Sequence, residues 1–361
     1  MPMIARDVVK TILNKHIPER MGHYEEFWPE TVHGAWLEQG YPKDAGELQY
    51  FNLDLAHCGG WIDSVPFPGR DELLEETDEW RAIKDGRGAS FKVWKNKSGC
   101  PEHIAFEVTT PEKWKEYREP LLEFDRKRLG DVDAQRRWIA EARAEGRFAM
   151  YSNVFVIELL RYTIGDENFL PAMLLEPDWI HDFCQVYLDL FIRHYEVLFR
   201  EAGLPDGIYI NEDFGYNHGL FCSPKAMAEM IMPYEKKLVS FFKDYGLPVI
   251  LHSCGGILEA IPQIIDAGFD CLQPMEAKAG CDLLEIFDTY GTKLSYMGNI
   301  DVRALSTNDP EKIREEVLHK LRGVKERRIP YIFHSNHSIP PNVDFASYKY
   351  AVELLKENWL Y

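Results

Sequence analysis

From Arg147 to the C-terminus, the sequence alternates between short apolar runs and segments with helical periodicity. This alternation constrains the fold more than any other feature, because regular strand–helix repetition favours a parallel sheet covered by helices. Each run is short and apolar, as expected for a strand buried on both faces. The six runs interpreted as strands are 148–153, 207–213, 248–255, 269–274, 294–301 and 330–337.

The spacing of these runs favours a TIM (β/α)8 barrel over an open, doubly wound sheet. A seventh strand is expected in the first half of residues 19–36, where it leads into a helix, and an eighth is expected to be hidden elsewhere. The Gly-x-Gly-x-x-Gly pattern of dinucleotide-binding folds follows none of the strands. The predicted fold class is therefore α/β, with a (β/α)8 barrel.

The first 146 residues have a different pattern. An amphipathic helix is predicted over residues 4–15. Period-two alternation in 78–83, 89–94 and 103–108, with turns at 85–88 and 97–99, predicts a small three-stranded antiparallel β-meander. We therefore divide the chain into an N-terminal extension, 1–146, containing the first barrel strand and the meander (about 78–108), and the main part of the barrel, 147–361.

Composition excludes some classes of partner. The net charge of −18 argues against binding to nucleic acid or to anionic membranes, both of which select basic surfaces. No apolar run approaches the ~18 residues of a membrane span. The seven cysteines are scattered and odd in number, which favours reduced thiols over a disulfide framework. A cytoplasmic location is therefore expected.

Polar side chains stand where the apolar runs end, and in a TIM barrel the C-terminal ends of the strands converge on the active site. These residues are Asn153, Asn211, Glu212, Asp213, His252, Cys254, Gln273, Glu276, Asn299, Asp301, His334, Asn336 and His337. Turn and helix-cap chemistry is the ordinary explanation for any single one of them. Their occurrence after all six runs predicts a polar site at one end of the barrel.

His252 and Cys254 are the most informative pair. Residues i and i+2 of a strand point the same way, so the imidazole and the thiol are expected side by side. Nitrogen and sulfur are zinc ligands, but two ligands do not make a zinc site. A third ligand must come from elsewhere in the chain.

Four motifs together resemble the uroporphyrinogen decarboxylase superfamily. They are His252-Ser-Cys254-Gly-Gly, Gln273-Pro-Met-Glu276-Ala-Lys-Ala-Gly-Cys-Asp282, Met297-Gly-Asn299-Ile-Asp301 and His337-Ser-Ile-Pro-Pro341. The resemblance covers residues from about 147 to the C-terminus and implies a TIM barrel. The superfamily includes porphyrinogen decarboxylases and zinc-dependent methyltransferases that serve corrinoid proteins.

The two branches imply different chemistry. The decarboxylases grip substrate carboxylates with an arginine-rich motif near the N-terminus, and the matching segment here, 19–24, lacks it. Glu25, Glu26 and Glu30 follow and would repel a polycarboxylate. The methyltransferases hold zinc through His-x-Cys and a later cysteine. His252 and Cys254 match, and His337 stands at the later position, so the resemblance implies a His-Cys-His zinc site with an open fourth position.

We therefore expect transfer of a methyl group from a small methylated substrate to a corrinoid protein, assisted by zinc. The donor would be of the methoxy-aromatic, methylamine or methyl thiol type. The leaving group would be positioned or protonated by residues at the strand ends, and aromatic and amide side chains would bind the substrate. The first set is Glu212, Asp213, Glu276, Asn299, His334 and Asn336, and the second is Tyr24, Trp28, Tyr151, Phe214 and Gln273, with Trp36 as a further wall.

The sequence lacks the Asp-x-His-x-x-Gly pattern with which carrier modules ligate cobalt, so the corrinoid (cobalamin) is expected on a separate protein. The main alternative is a metal-independent decarboxylase or lyase that uses the same acidic and histidine-rich residues. A weaker alternative is a barrel that binds a small ligand without turnover. A bound metal would favour the methyltransferase.

Overall fold

The computed structural model describes residues 3–96 and 101–361. The predicted turn at 97–99 therefore lies outside the described residues. The strands are β1 (Gly22–His23), β2 (Leu55–His57), β3 (Glu72–Glu76), β4 (Trp80–Lys84), β5 (Ala89–Trp94), β6 (Glu102–Phe106), β7 (Phe148–Val154), β8 (Gly207–Asn211), β9 (Gly215–Tyr216), β10 (Gly219–Leu220), β11 (Val249–Ser253), β12 (Cys271–Pro274), β13 (Ser295–Met297) and β14 (Tyr331–Phe333).

The α-helices are α1 (Ala5–Leu13), α2 (Trp36–Glu38), α3 (Glu47–Tyr50), α4 (Pro111–Arg118), α5 (Val132–Ala144), α6 (Val156–Thr163), α7 (Asp166–Leu175), α8 (Pro177–Ala202), α9 (Pro224–Met230), α10 (Met232–Asp244), α11 (Ile261–Ala267), α12 (Leu283–Tyr290), α13 (Val302–Leu305), α14 (Pro310–Arg327) and α15 (Phe345–Asn358). A π-helical turn, Thr31–Ala35, precedes α2. Short 3-10 turns occur at Glu119–Leu121, Arg126–Leu129, Leu258–Ala260, Ala277–Ala279 and Gly291–Lys293.

Eight of the strands form one parallel sheet in the order β1-β14-β13-β12-β11-β8-β7-β2. The two outer strands meet where the Asp54 backbone N–H, just before β2, donates to the carbonyl of His23 at 2.7 Å. Helices follow most of the strands, so the sheet forms a nearly closed TIM barrel. The fold prediction is confirmed.

Alternation along the strands separates two apolar layers. Phe148 and Met150 of β7 belong to a buried cluster inside the barrel, whereas Ala149 and Tyr151 belong to the cluster between sheet and helices. Helix α1, predicted at 4–15, closes the N-terminal end of the barrel. Its residues Val8, Val9, Ile12 and Leu13 are buried in the inner cluster.

The eighth barrel strand is β2. Its two apolar residues, Leu55 and Ala56, lie between Asp54 and His57, so no longer apolar run marks it in the sequence. The sheet also crosses the boundary drawn at residues 146 and 147, because β1 pairs with β14 and β2 pairs with β7.

The meander has four antiparallel strands, in the order β3-β4-β5-β6, so the prediction of three was wrong. The missed strand β3 has two adjacent leucines between acidic residues, and all five of its side chains are exposed. It has no buried face, and therefore no period-two pattern. No helix among the described residues is long and apolar enough to cross a membrane.

Candidate active site

A cavity of about 470 Å³ opens at the C-terminal ends of the barrel strands. Its walls come from the loops after β1, β8, β12 and β14, the end of β11, and the β9–β10 hairpin. The lining includes Glu26, Trp28, Asp213, His252, Cys254 and His337. Several of the polar residues predicted to form a site at this end of the barrel therefore line this cavity.

Asp213, His252 and Cys254 form a compact cluster in this cavity. The Nε2 atom of His252 lies 3.5 Å from Cys254 Sγ and 3.6 Å from Asp213 Oδ1. Asp213 Oδ1 also accepts a hydrogen bond of 2.8 Å from the Cys254 backbone N–H. In the parts of the chain that the structure describes, this is the one group of His, Cys, Asp and Glu ligand atoms close enough together to hold a metal ion, all within 4.8 Å of one another.

The pairing of β8 with β11 explains the cluster. His252 is in register with Asn211, and the Glu212 backbone N–H donates to the carbonyl of His252 at 2.9 Å. Asp213 therefore leaves β8 beside the point where Cys254 leaves β11. The two strand ends bring the three side chains together.

Gly255 allows the chain to turn away directly after Cys254. Its φ is +83°, and a Cβ at this position would lie 2.4 Å from the backbone carbon of Gly215 in the β9–β10 hairpin. Only glycine combines this backbone conformation with so close an approach. The hairpin is thereby held against the end of β11, where it forms one wall of the cavity.

Hydrogen bonds orient the His252 ring. Gln273 Oε1 lies 2.5 Å from Nδ1, and the Tyr209 hydroxyl lies 3.2 Å from the same nitrogen. An amide oxygen accepts, so Nδ1 carries a proton and Nε2 faces Cys254 and Asp213. A polar partner on the second ring nitrogen is what metal-binding histidines have.

The neighbouring groups favour the protonated, positively charged form of His252 in the cluster. Burial lowers the pKa of His252, but the Cys254 sulfur and then Asp213 and Glu26 outweigh it and raise this pKa to about 10. Burial raises the pKa of Cys254, and His252 opposes that rise. One carboxylate oxygen, one imidazole nitrogen and one sulfur are a donor set that zinc accepts, and they face an open cavity. The residues therefore fit the zinc ion that the resemblance implied.

His337 does not join this cluster. It lines the same cavity, but its ring stacks on Trp28, with centroids 6.2 Å apart, and its Nδ1 lies 3.0 Å from the Ser338 carbonyl oxygen. Strand β14 ends at Phe333, four residues earlier. His337 therefore lies apart from the cluster, and Asp213 is the third member of the cluster.

The two predicted glutamates differ in environment. Glu276 lines the cavity, where it accepts a hydrogen bond from the Gly255 N–H at 2.8 Å and pairs with Lys278 at 2.8 Å. Glu212 is buried, and one of its carboxyl oxygens accepts from the Ile157 N–H at 2.9 Å. Burial, followed by the neighbouring Glu235 and Glu158, raises the pKa of Glu212 well above its usual range. The neutral form of the Glu212 carboxyl is therefore more favoured than it is in an exposed glutamate.

Three further predicted residues are buried and serve the fold around the site. The Asn299 amide donates to the carbonyls of Met275 and Cys281, both at 2.6 Å. Asn336 accepts from the Val302 N–H at 3.0 Å. His334 lies 3.4 Å from both Glu25 and Gln273, behind the cavity wall. Asn299 and Asn336 thus hold loops in place rather than face the cavity.

Tyr151, Phe214 and Trp36 were expected to wall the pocket and are instead fully buried in the layer between sheet and helices. Tyr151 follows Met150 of β7, which faces inward, so its own side chain faces the helices. Trp36 packs on Tyr348, with ring centroids 5.6 Å apart. Trp28 and Gln273 do line the cavity.

The predicted substrate-binding residue Tyr24 belongs to a group that sequence analysis missed. Its hydroxyl lies 2.6 Å from His57 Nε2 and 3.4 Å from Glu26 Oε1. His57 ends the three-residue strand β2, and Glu26 follows β1. Because β2 was not recognised in the sequence, His57 could not be identified as a histidine at the end of a strand.

Arg20, in the segment that matches the arginine-rich motif of the decarboxylases, is not directed at the cavity. Its guanidinium makes two hydrogen bonds to Asp54, of 2.7 and 2.9 Å, and is almost completely buried. This charge is neutralised within the protein. It does not bind a substrate carboxylate in this arrangement.

The fold and the site together define a TIM-barrel protein with a polar pocket at the strand ends. A sequence model of the uroporphyrinogen decarboxylase (URO-D) family matches residues 108–358, which is most of the chain. The chain therefore belongs to the URO-D family, which is a family of enzymes. The resemblance inferred from the four motifs is confirmed.

Similar proteins agree with this assignment. The chain is 33% identical to a uroporphyrinogen decarboxylase of Chlorobium luteolum over 135 residues, 36% of each protein. It is 28% identical to that of Aquifex aeolicus over 128 residues, also 36% of each. A methyltransferase from Methanosarcina mazei has the same fold, with a TM-score of 0.69 at 14% identity over 98% of this chain and 99% of that one. The matched segments of these two decarboxylases are little more than a third of their length.

Proposed function

We propose that the chain is a methyltransferase that moves a methyl group from a small methylated substrate to a corrinoid protein, with zinc bound by Asp213, His252 and Cys254. The observation that carries this proposal is the cluster of these three side chains in the cavity at the barrel mouth. The M. mazei methyltransferase, which has the same fold, supports it.

The chain's own residues would bind and orient the methyl donor. Asp213, His252 and Cys254 would hold the ion, and the hydrogen bond with Gln273 would keep the Nε2 atom of His252 directed towards it. Bound zinc would act as a Lewis acid on a heteroatom of the donor that has a free lone pair. Asp213 and the Cys254 thiolate together carry the same charge as two thiolates, but a carboxylate oxygen donates less electron density to zinc than sulfur does, which suits binding of an oxygen or nitrogen atom of the donor. Trp28 and residues of the β9–β10 hairpin line the cavity in which the donor would lie.

Two features argue against decarboxylation of a polycarboxylate. Arg20 is paired with Asp54, and the cavity lining contains the carboxylates of Glu26, Asp213 and Glu276. A substrate with several negative charges would be repelled. The metal-independent decarboxylase is therefore the alternative outcome of the experiment below.

The corrinoid would be supplied by a partner protein. The cavity opens at the barrel mouth, and the sequence lacks the cobalt-ligating pattern of carrier modules. The partner's cofactor would then have to approach the donor from outside. Purified protein that is red and contains cobalt would contradict this part of the proposal.

Methyl transfer can be measured directly. Zinc-loaded protein is incubated with chemically reduced free cobalamin and, in turn, a methoxy-aromatic, a methylammonium and a methyl thiol, while the cobalamin absorbance is followed. We expect methylation with one donor type and an approximately 100-fold loss in Cys254→Ser, because removal of a ligand weakens the zinc site. Cys222→Ser is the matched control, since Cys222 lies outside the cluster.

Equal rates in Cys254→Ser and Cys222→Ser would contradict the role of zinc. Release of carbon dioxide from a porphyrinogen, without cobalamin methylation, would establish the decarboxylase instead.

A further inference from the structure

The charges that line the cavity are unequal. Its carboxylates are Glu26, Asp213 and Glu276, and its cationic side chains other than histidines are Arg161 and Lys278. Both cations already have partners. Arg161 binds Glu158 at 2.8 Å and Asp166 at 3.2 Å, and Lys278 binds Glu276 at 2.8 Å. Neither positive charge is left to attract an anionic substrate.

Asp213, one of these three carboxylates, belongs to the candidate zinc site. The charge of a zinc ion would be balanced by Asp213 and the thiolate of Cys254. Lys278 neutralises Glu276. Glu26 is then the carboxylate of the lining without a lysine or arginine within ion-pair distance among the described residues.

Glu26 is held in a fixed position by two groups from the outer strands of the barrel sheet. Its Oε1 lies 3.4 Å from the Tyr24 hydroxyl and 3.6 Å from His57 Nε2, and these two atoms are 2.6 Å apart. The Glu26 side chain is 27% exposed. Three groups so close together leave it little rotamer freedom, so it is preorganised to meet a ligand.

The protonation state of Glu26 is also set by these neighbours. Burial raises its pKa, but the hydrogen bond with His57 and the charges of His334, His57 and His252 reverse the shift and bring the pKa to about 2. At neutral pH, Glu26 is therefore ionised. It can attract a positive charge but has no proton to give to a leaving oxygen.

We propose that the methyl donor is a methylated ammonium cation whose positive charge is bound by Glu26. This inference rests on the proposed methyl transfer and names the substrate class of the same cavity. Trp28 and Tyr216 also line the cavity, and aromatic rings attract quaternary ammonium groups. The negative lining excludes donors that carry a carboxylate near the methyl group.

The chemistry of such a donor suits the residues present. The bond between nitrogen and the methyl carbon breaks, the electron pair stays on nitrogen, and the methyl group passes to the reduced corrinoid of the partner protein. A quaternary ammonium leaves as a neutral amine, and because its nitrogen has no lone pair, zinc would bind an oxygen elsewhere in the donor, such as a hydroxyl. No proton has to be delivered, which agrees with a cavity whose free carboxylate is ionised.

A matched pair of ligands tests the charge preference. Choline and 3,3-dimethylbutan-1-ol have nearly the same shape, but only choline is a cation. Isothermal titration calorimetry with zinc-loaded protein should show that choline binds at least about tenfold more tightly, because the carboxylate of Glu26 is complementary to its charge. Equal affinities, tighter binding of the alcohol, or binding of neither ligand at millimolar concentration would overturn the inference.

Two variants locate the effect. Glu26→Gln keeps the shape of the side chain and should reduce choline affinity about tenfold, while the affinity for the neutral alcohol stays the same. Glu30→Gln removes the same charge from an exposed position four residues later and should bind both ligands like the unchanged protein. A Glu26→Gln variant that binds choline normally would contradict the role of Glu26.

The inference and the proposed function can fail separately. Cobalamin methylation from a neutral methoxy-aromatic, together with equal binding of the two ligands, would leave the methyltransferase standing and refute the ammonium donor. Selective choline binding without zinc-dependent methylation would support the cation site and refute the methyltransferase.

Discussion

Gln273 determines which nitrogen of His252 faces the candidate zinc ion. Its amide oxygen lies 2.5 Å from Nδ1, and this leaves Nε2 directed at Cys254 and Asp213. Because such partners fix the ring and its tautomer, Gln273→Ala should weaken zinc binding by about 10- to 100-fold. Competition with a chromogenic chelator measures this change. Gln185→Ala, on the helical layer, is the control, and unchanged affinity in Gln273→Ala would show that the hydrogen bond has no such role.

Asn299 was predicted to be catalytic, and its contacts indicate a structural role. It joins the carbonyls of Met275 and Cys281 to the Leu283 N–H and to Lys320. Asn299→Ala should lower the free energy of unfolding by roughly 3 kcal/mol, because several buried polar groups lose their partner. Chemical denaturation measures this difference.

Asn52 provides the control for Asn299, since both residues have a positive φ, of 55° and 71° respectively, and Asn52 is exposed. Asn52→Ala should cost about 1 kcal/mol from backbone strain alone. Equal losses in the two variants would mean that the Asn299 hydrogen bonds contribute nothing.

His23 gives the protein a pH-dependent stability that is separate from the active site. Burial, and then Lys356 and Arg20, lower its pKa from 6.5 to about 3. Between these values the unfolded chain binds a proton that the folded chain does not, so stability falls as the pH decreases through this window. The loss at pH 5 relative to pH 8 is about 2 kcal/mol.

Denaturation of the His23→Phe variant at both pH values should show that this part of the pH dependence has disappeared. His16→Gln, at an exposed position, should retain it. A His23→Phe variant with the pH dependence of the unchanged protein would assign the effect to other groups.

At the scale of elements, the end of β11 depends on the close approach of the β9–β10 hairpin. Gly255 and Gly280 have nearly the same φ, +83° and +85°, but a Cβ on Gly280 would meet no atom within 4 Å. Gly280→Ala should therefore cost about 1 kcal/mol, whereas Gly255→Ala should cost about 3 kcal/mol or more and weaken zinc binding, because the hairpin must move. Thermal unfolding with zinc titration distinguishes the two, and equal costs would contradict the packing.

The length of the continuous apolar runs determined which strands could be predicted from the sequence. The runs that became β7, β8 and β11 are five to seven residues long, and Asp213, His252 and Cys254 at the ends of β8 and β11 line the cavity, as does Glu276 after β12. The two apolar residues of β2 lie between Asp54 and His57, so neither the strand nor His57 was recognised. The second difficulty was to decide which side chains of a strand face the barrel interior and which face the helices. Tyr151 follows a strand residue that points inward, and sequence analysis had not fixed which alternate set faces the helices.

The third residue of the candidate zinc cluster could have been found from topology. Strands β8 and β11 are consecutive members of the parallel sheet, so the residues that follow them are neighbours in space. Asp213 satisfies this condition. His337 comes four residues after β14, and a loop of that length does not fix the position of its last side chain.

In the molecule as a whole, the apolar residues that close the barrel lie at one end and the candidate active site lies at the other. Helix α1 closes one end with four buried apolar side chains, and the cavity occupies the other end. This division is typical of TIM barrels, in which loops at the C-terminal ends of the strands vary while the core is retained. The cavity can therefore be changed by single substitutions in a protein that still folds.

The central claim is that zinc is held by Asp213, His252 and Cys254. The most direct test is the zinc content per chain, measured by elemental analysis after growth with zinc and removal of loosely bound metal. We predict about one equivalent in the unchanged protein and in His337→Ala, and well under half an equivalent in Asp213→Asn and Cys254→Ser, because each of these last two loses a ligand. Zinc retained in Asp213→Asn, or lost in His337→Ala alone, would contradict the account.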